Sequence, residues 1–102
     1  MGEAFWNGLR ITWNDRKSEL NIKKHGFSLD DAWPAVADLE ARYFENCVVD
    51  GEERLVFLGV REGLGILLVV FIYPDENNEN HIHLISSWLA DDEEKRRCHG
   101  TL

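Results

Sequence analysis

The sequence has few cysteines and prolines, and it lacks any long apolar run. Its two cysteines, Cys47 and Cys98, are far apart, and this fits neither a paired metal motif nor a dense disulfide framework. We therefore expect both thiols to be reduced, Cys47 in a strand and Cys98 near a frayed end. The longest apolar run, Ile66 to Tyr73, has eight residues. A membrane-spanning helix needs roughly 18 to 20, so none is expected.

The start of the chain also lacks the features of a secretory signal. Met1 to Gly8 contains one acid and no base, without the basic start and apolar stretch that such signals require. We expect a cytoplasmic protein. The 102 residues, 44% of them hydrophobic, are enough for one core and one domain. We expect this domain at residues 10–98, between an N-terminal extension, residues 1–9, and a tail, residues 99–102.

The net charge of −8 is unevenly placed along the chain. Residues 62–102 contain eight acids and three bases, whereas Asn14 to His25 contains four bases and two acids. An anionic ligand such as RNA would therefore have only the first predicted helix and a few strand arginines to bind.

Capping residues and periodicity predict two helices near the start of the domain. After a short first strand at Arg10 to Trp13, Asn14 and Gly26 are suited to cap the two ends of a helix. A polar stripe on this helix leaves Leu20 for the core. Ser28 caps a second helix over residues 29–38, in which proline predicts a kink or an early end. The polar stripe consists of Lys17, Asn21 and Lys24, and the proline is Pro34.

A two-residue period from Arg42 onward predicts strands joined as an antiparallel meander. The nearly continuous apolar strand Gly65 to Tyr73 should lie at the centre of the sheet. The fold class is therefore α+β: a short first strand, two helices packed on an antiparallel sheet of about four strands, and a short C-terminal helix with its acids first. The other predicted strands begin at Arg42 and span Arg54 to Arg61 and His81 to Ser87.

The segment Trp13 to Gly26 resembles the opening motif of the BrnT family of bacterial toxins. Asn14 replaces the acid that is usual there, and a stretch at residues 51–54, Gly-Glu-Glu-Arg, extends the match. The resemblance covers about residues 10–90 and implies a RelE-like fold. The matching residues of the opening motif are Trp13, Lys17, Asn21, Lys24, His25 and Gly26.

This resemblance implies the toxin component of a type II toxin–antitoxin system, with a BrnA-like ribbon–helix–helix antitoxin as partner. Such enzymes are implied to cleave RNA without a metal or other cofactor, through attack of the ribose 2′-hydroxyl on the adjacent phosphate. The chemistry needs positive charge at the phosphate and a proton acceptor or donor. The candidate catalytic residues are His83, Arg54 and His25. The candidate RNA-binding residues are Lys17, Asn21, Lys24 and Arg61.

The last strand departs from the family pattern, which typically has Arg-Ile-Ile-Ser-Ala-Arg there. His83 and Trp88 replace two arginines, and four acids follow at Asp91 to Glu94. These acids repel RNA within a Debye length of about 8 Å, so we expect weak or absent ribonuclease activity. The second hypothesis is a catalytically inactive protein of the same fold that binds a basic protein partner through its acidic surface.

Several candidate residues also have a purely structural interpretation. Lys24 and His25 could hold phosphate or transfer a proton, or simply form a helix end. Lys17 and Asn21 could instead belong to a solvated helix face. Arg54 and Arg61 are seven residues apart, so they should point to opposite faces of the sheet. Arg54 could equally form an ordinary salt bridge with Glu52 or Glu53.

The last strand offers two further hypotheses. His81 and His83 share a strand face and could bind a metal with a third ligand such as His99, but without a fixed third ligand this signal is weak, and no metal is expected. Apolar residues near the end of the strand suggest an interface for the antitoxin, another basic protein or a second copy of the chain. The residues of this predicted interface are Leu84, Ile85, Trp88 and Leu89.

Overall fold

The computed structural model, which describes residues 1–49 and 51–94, contains a six-stranded mixed sheet. The strand order is β1-β2-β6-β5-β4-β3. Within the described residues, no helix has the length and apolar character needed to cross a bilayer. The strands are β1 (Gly2–Trp6), β2 (Leu9–Trp13), β3 (Arg42–Val49), β4 (Glu52–Arg61), β5 (Gly65–Ile72) and β6 (His81–Leu89).

The antiparallel meander predicted from the two-residue period is confirmed for β3 to β6. The prediction of a purely antiparallel sheet of about four strands is wrong, because β2 joins the edge of β6 in parallel and β1 pairs with β2. Strand β1 lies in the segment expected to be an extension. A short strand of this kind has too few residues to show a clear period in the sequence.

Both capping residues of the first helix are confirmed. Helix α1 spans Asp15–His25, and the side chain of Asn14 accepts a hydrogen bond from the backbone N–H of Lys17 at 3.1 Å. Gly26 ends the helix with a φ of 89°, a left-handed conformation that glycine adopts without the steric cost of a Cβ.

The second helix is shorter than the sequence predicts. Helix α2 spans only Leu29–Ala32, with Ser28 as its cap, and continues as a 3₁₀ helix, Trp33–Ala37. The early end expected near Pro34 is thus confirmed, because proline has no N–H to donate and its ring clashes with the preceding turn of an α-helix. The 3₁₀ helix packs closely on β4, where a Cβ at Gly59 would collide with the Ala35 carbonyl oxygen.

Each face of the sheet carries its own hydrophobic cluster. On the helical face, the strands pack against α2 and the 3₁₀ helix, while the opposite face carries a second cluster from β3, β4 and β5. Leu67 to Phe71 of β5 contribute alternately to both clusters and are all buried. The predicted central position of this strand is therefore confirmed. The opposite-face cluster comprises Phe44, Cys47, Val49, Val56, Leu58, Leu68 and Val70, with Ile85, Trp88 and Ala90 packed against it.

The expectation that both cysteines are reduced is wrong for Cys47. This residue is fully buried in β3 and is disulfide-bonded. Cys98 lies outside the described residues. Spacing along the chain could not reveal this bond, because a disulfide depends on distance in the folded structure.

Helix α1 packs along the edge of β6, where β2 has already ended. The last pair between these strands joins Trp13 and Leu84, although β6 continues to Leu89. Beyond that point the side chain of Asn21 forms the hydrogen bonds that a neighbouring strand would otherwise form with the β6 backbone. Its Oδ1 accepts from the Ser87 N–H at 3.0 Å, and its Nδ2 donates to the Ser87 and Phe27 carbonyl oxygens at 3.0 and 2.8 Å.

This edge position explains why the core-facing side of α1 is polar. Its buried residues are Ser18 and Asn21, and the Ser18 hydroxyl accepts a 2.9 Å hydrogen bond from the Leu29 N–H. The prediction that Leu20 enters the core is wrong, since this side chain is 38% exposed. A helix that covers a strand edge must satisfy backbone polar groups, which apolar side chains cannot do.

We expect Asn21→Ala to destabilise the protein by about 3 kcal/mol, because it leaves buried backbone groups of Ser87 without hydrogen bonds. Urea denaturation followed by circular dichroism would measure the change. Glu19→Ala, an exposed position on the same helix, is the control and should change the stability by less than about 0.5 kcal/mol. Equal stability of the two variants would show that the Asn21 bonds are not important for the fold.

Candidate functional site

A β-bulge in β6 determines which side chains share a surface. Val70 of β5 pairs with Ser86, whereas the next residue, Phe71, pairs with Leu84, so Ile85 is an extra residue in β6. Leu84 belongs to the cluster on the helical face, and Trp88 packs against the cluster on the opposite face. Because of the extra residue, His83 and Trp88 lie on the same face although they are five positions apart.

A cleft of about 570 Å³ lies between the start of α1 and β6. Among the described residues it contains two cations and one histidine but no acid, and we call it the basic cleft. Lys17 and His83, two of the predicted site residues, meet here. Arg16 was not predicted, although its place beside Lys17 in the basic first helix is a signal that could have revealed it. The basic cleft is lined by Asn14, Arg16, Lys17, Leu20, His83, Leu84 and Ile85.

The His83 ring is half-buried and is held by a threonine of the neighbouring strand. The Thr12 hydroxyl lies 2.8 Å from His83 Nδ1 and 2.9 Å from His81 Nε2. Burial of the ring, and then the nearby His81, lowers the pKa of His83 below its ordinary value of 6.5. At neutral pH, His83 is therefore an uncharged group that can accept a proton. Sequence reasoning missed Thr12, whose role depends on the parallel pairing of β2 with β6.

A second cleft, of about 840 Å³, lies at the other end of α1. It contains one lysine, one histidine and two acids, and we call it the acidic cleft. The rings of His25 and Trp88 lie 5.4 Å apart, and the Trp88 indole N–H donates to Glu94 at 2.8 Å. The acidic cleft is lined by Lys24, His25, Val49, Gly51, Trp88, Leu89, Asp91 and Glu94.

The acids of the acidic cleft also begin the predicted C-terminal helix. The Asp91 side chain accepts from the Glu94 N–H at 2.6 Å, and the Glu94 side chain accepts from the Asp91 N–H at 3.1 Å. This reciprocal pair is a capping box, and residues 92–94 are helical. The bases expected at the end of this helix, residues 95–97, lie outside the described residues.

The structure does not bring the three candidate catalytic residues into one cleft. His83 lines the basic cleft and His25 the acidic cleft. Arg54 lines neither, and it forms an ion pair with Glu52, as in the structural interpretation of this residue. Lys17 and Lys24, seven residues apart on α1, are separated by about 10 Å along the helix axis at 1.5 Å per residue.

Three other predicted site residues have structural roles. Asn21 is buried and its amide is fully engaged, so it has no free group for RNA. Arg61 donates to the carbonyl oxygens of Asp31 and Glu62, away from both clefts and on the face opposite to Arg54.

Leu84 is completely buried and cannot form a partner interface, because the bulge separates it from Trp88. Leu89, in contrast, is 55% exposed.

His81 and His83 share a strand face, as expected, but both rings contact Thr12. Within the part of the chain that the structure describes, no three metal-binding side chains form a group. His99, the third ligand considered above, lies outside that part.

The comparisons with known proteins agree with the resemblance noted in the sequence. Residues 13–94 match a family model described as a ribonuclease toxin, BrnT, of a type II toxin–antitoxin system. This match covers most of the chain and includes α1, the whole meander and both clefts. No match was found among curated proteins.

We expect the lowered pKa of His83 to make stability depend on pH. Between that pKa and 6.5 the unfolded chain binds the proton more readily than the folded chain, so acidification through this range favours unfolding. His83→Gln should lose less stability than the wild type between pH 7.5 and pH 5.5, measured by urea denaturation. Ile22→Gln, at an exposed residue of α1 that does not titrate, is the control and should follow the wild type. Identical losses in all three proteins would contradict the prediction.

Proposed function

This chain belongs to the BrnT family of ribonuclease toxins of type II toxin–antitoxin systems, and we propose that it is a RelE-like, metal-independent endoribonuclease whose activity is weak. The observation that carries this proposal is the basic cleft, which combines two cations with a neutral histidine in a strongly acidic chain. The catalytically inactive alternative shares the fold, but the family match favours a toxin.

The basic cleft supports RNA binding through its local charge. Arg16 and Lys17 are both exposed at the start of α1, and none of the described residues that line the same cleft is an acid. A phosphate there would meet two positive charges and exposed side chains that can donate hydrogen bonds. The net charge of −8 does not prevent this contact, since charges beyond about 8 Å are largely screened at physiological salt.

His83 supports RNA cleavage because one of its two ring nitrogens can accept a proton from the substrate. Nδ1 contacts Thr12, whereas Nε2 has no hydrogen-bond partner among the described residues. In the proposed reaction Nε2 accepts the proton of a ribose 2′-hydroxyl, whose oxygen attacks the adjacent phosphorus and displaces the 5′-oxygen. Arg16 and Lys17 stabilise the charge that develops on the phosphate.

The same features explain why the proposed activity is weak. An arginine at position 83 would provide a permanent charge and several donors, whereas a neutral histidine provides neither. Trp88, at the second position where the family typically has arginine, donates its indole N–H to an acid. Among the described residues that line the basic cleft, the two cations of α1 remain to stabilise the phosphate.

The acidic cleft is the proposed docking surface for a BrnA-like ribbon–helix–helix antitoxin. Leu89 is exposed beside a half-buried tryptophan, and Asp91 and Glu94 line the same cleft. An exposed leucine with two acids beside it is complementary to a partner segment that carries basic residues and one apolar side chain. The two acids also make this cleft a poor site for RNA.

We expect weak cleavage of a mixed RNA pool at pH 6 to 8, and His83→Ala should lower it by about 10² or more, the usual contribution of a general acid or base. Lys17→Ala should lower it about tenfold or more, through loss of phosphate contact. Lys23→Ala, an exposed lysine of the same helix that lines neither cleft, is the matched control and should cleave like the wild type.

Two outcomes of this assay would contradict the proposal. Robust cleavage that survives His83→Ala would show that the reaction takes place elsewhere on the protein. Loss of cleavage in chelator would show that a metal takes part and would favour His81 and His83 as ligands. Growth arrest on expression in bacteria provides an independent measure of toxicity.

We expect Leu89→Asp to weaken the complex with a purified BrnA-like ribbon–helix–helix antitoxin by about tenfold or more, because it places a charge on an apolar anchor. Isothermal titration calorimetry would measure the affinity. Ile22→Asp makes a similar change at an exposed residue outside both clefts and should bind normally. If Leu89→Asp binds normally, the antitoxin docks elsewhere. Light scattering of the chain alone would reveal a second copy at this surface.

A further inference from the structure

Thr12 lies between two imidazole rings and contacts both. In the parallel pair of β2 and β6, Thr12 is in register with His83, and its hydroxyl is within 3 Å of one nitrogen of each histidine ring. Thr12 is completely buried, while both rings are half-buried. Water therefore cannot easily replace the hydroxyl as the partner of either ring.

The number of hydrogens restricts the protonation states of this trio. The Thr12 hydroxyl has one hydrogen and three acceptors within reach, namely the two rings and, at the longer distance of 3.5 Å, the Ile82 carbonyl oxygen. The shorter contacts favour donation to a ring, and the other ring must then donate its own N–H to the hydroxyl oxygen. If Thr12 donates to His83 Nδ1, both neutral rings carry their proton on Nε2. If Thr12 donates to His81 Nε2, both carry it on Nδ1. Whenever Thr12 donates to a ring, the two neutral rings therefore have the same tautomer, whereas donation to Ile82 would give unlike tautomers.

We propose that Thr12 is a positioning residue that couples His81 and His83 into one proton-transfer unit. With both protons on Nδ1, His83 Nε2 is a free base. With the His83 proton on Nε2 and one additional proton on His81, His83 Nε2 is an acid. Thr12 thus selects between the two roles that an RNA-cleaving histidine needs. This step rests on the proposed ribonuclease function, whereas the coupling of the tautomers does not.

The coupling lets one ring serve both steps of the proposed cleavage. As the O2′–P bond forms, the 2′-hydroxyl proton passes to His83 Nε2, and the Nδ1 proton of His83 moves to Thr12 while the Thr12 proton moves to His81 Nε2. His83 is then neutral with its proton on Nε2, and His81 holds the additional proton as an imidazolium. As the P–O5′ bond breaks, His83 donates the Nε2 proton to the 5′-oxygen while Thr12 returns a proton to His83 Nδ1 and His81 Nε2 returns one to Thr12. The relay runs back and restores the starting state.

The charged groups around the pair oppose two protonated rings at once. Arg10 is in register with His81 and is paired to Glu3 of β1, and Arg16 and Lys17 of α1 line the basic cleft with His83. On the other side of His83, β5 contributes Ile72, which is uncharged. The surroundings of the two rings therefore carry more positive than negative charge. When the His81–His83 pair becomes charged, the favoured state is the one in which the pair holds a single additional proton.

The test is nitrogen-15 NMR of the histidine side chains in the full chain without RNA, above the titration range. In the wild type we expect equal fractions of the Nδ1–H tautomer at His81 and His83. Thr12→Val removes the hydroxyl but keeps the shape, and the two fractions should then differ. Thr12→Ser should restore equality. Unequal fractions in the wild type, or equality that persists in Thr12→Val, would overturn the coupling.

Two further measurements keep the test decisive. If Thr12→Val does not fold, His81→Phe removes the second ring instead, and the tautomer fraction of His83 should change; an unchanged fraction would again overturn the coupling. With RNA, Thr12→Val should lower kcat about tenfold or more while KM changes little. Unchanged kcat with uncoupled tautomers would remove the catalytic role. Absence of cleavage by the wild type would overturn the ribonuclease proposal and leave the tautomer result intact.

Discussion

The side chain of Asn21 holds together the part of the molecule on which both clefts depend. Strand β2 ends at Trp13, so the remaining edge of β6 would expose its backbone groups. Asn21 closes this edge by exchanging hydrogen bonds with both backbone groups of Ser87. A polar helix can therefore lie against a strand edge and bring its two ends next to β6. Without this bridge, Ser87 would lose its partners and α1 would lose its hydrogen bonds to β6.

Local patterns in the sequence were sufficient for much of the fold. The caps at Asn14, Gly26 and Ser28 and the central strand are local features, because they depend on near neighbours or on a short period. The edge position of α1 and the parallel pairing of β2 depend on contacts between distant segments. The polar stripe of α1 could equally face solvent, so its pattern alone did not reveal that Asn21 faces the protein.

In the candidate site, too, local sequence features could be predicted, whereas contacts between distant segments could not. Lys17 and His83 were predicted separately, one from the helix motif and one from its position in β6, and the structure brings them into one cleft. Counting positions along a regular strand puts Leu84 and Trp88 on one side, and the bulge at Ile85 reverses this relation. A single extra residue has no clear signature in an apolar strand. Thr12 could not be recognised because its partners come from the other end of the chain.

The histidine in place of an arginine changes what the basic cleft can contribute to catalysis. Arginine stays charged and stabilises a phosphate, but it cannot accept a proton. His83 is half-buried beside a second histidine, and its lowered pKa favours the neutral ring. In the proposed reaction, the cleft therefore exchanges part of its electrostatic stabilisation for proton transfer. Such a site depends on the correct tautomer more than on charge, which makes the buried Thr12 hydroxyl as important to it as the lysine that faces solvent.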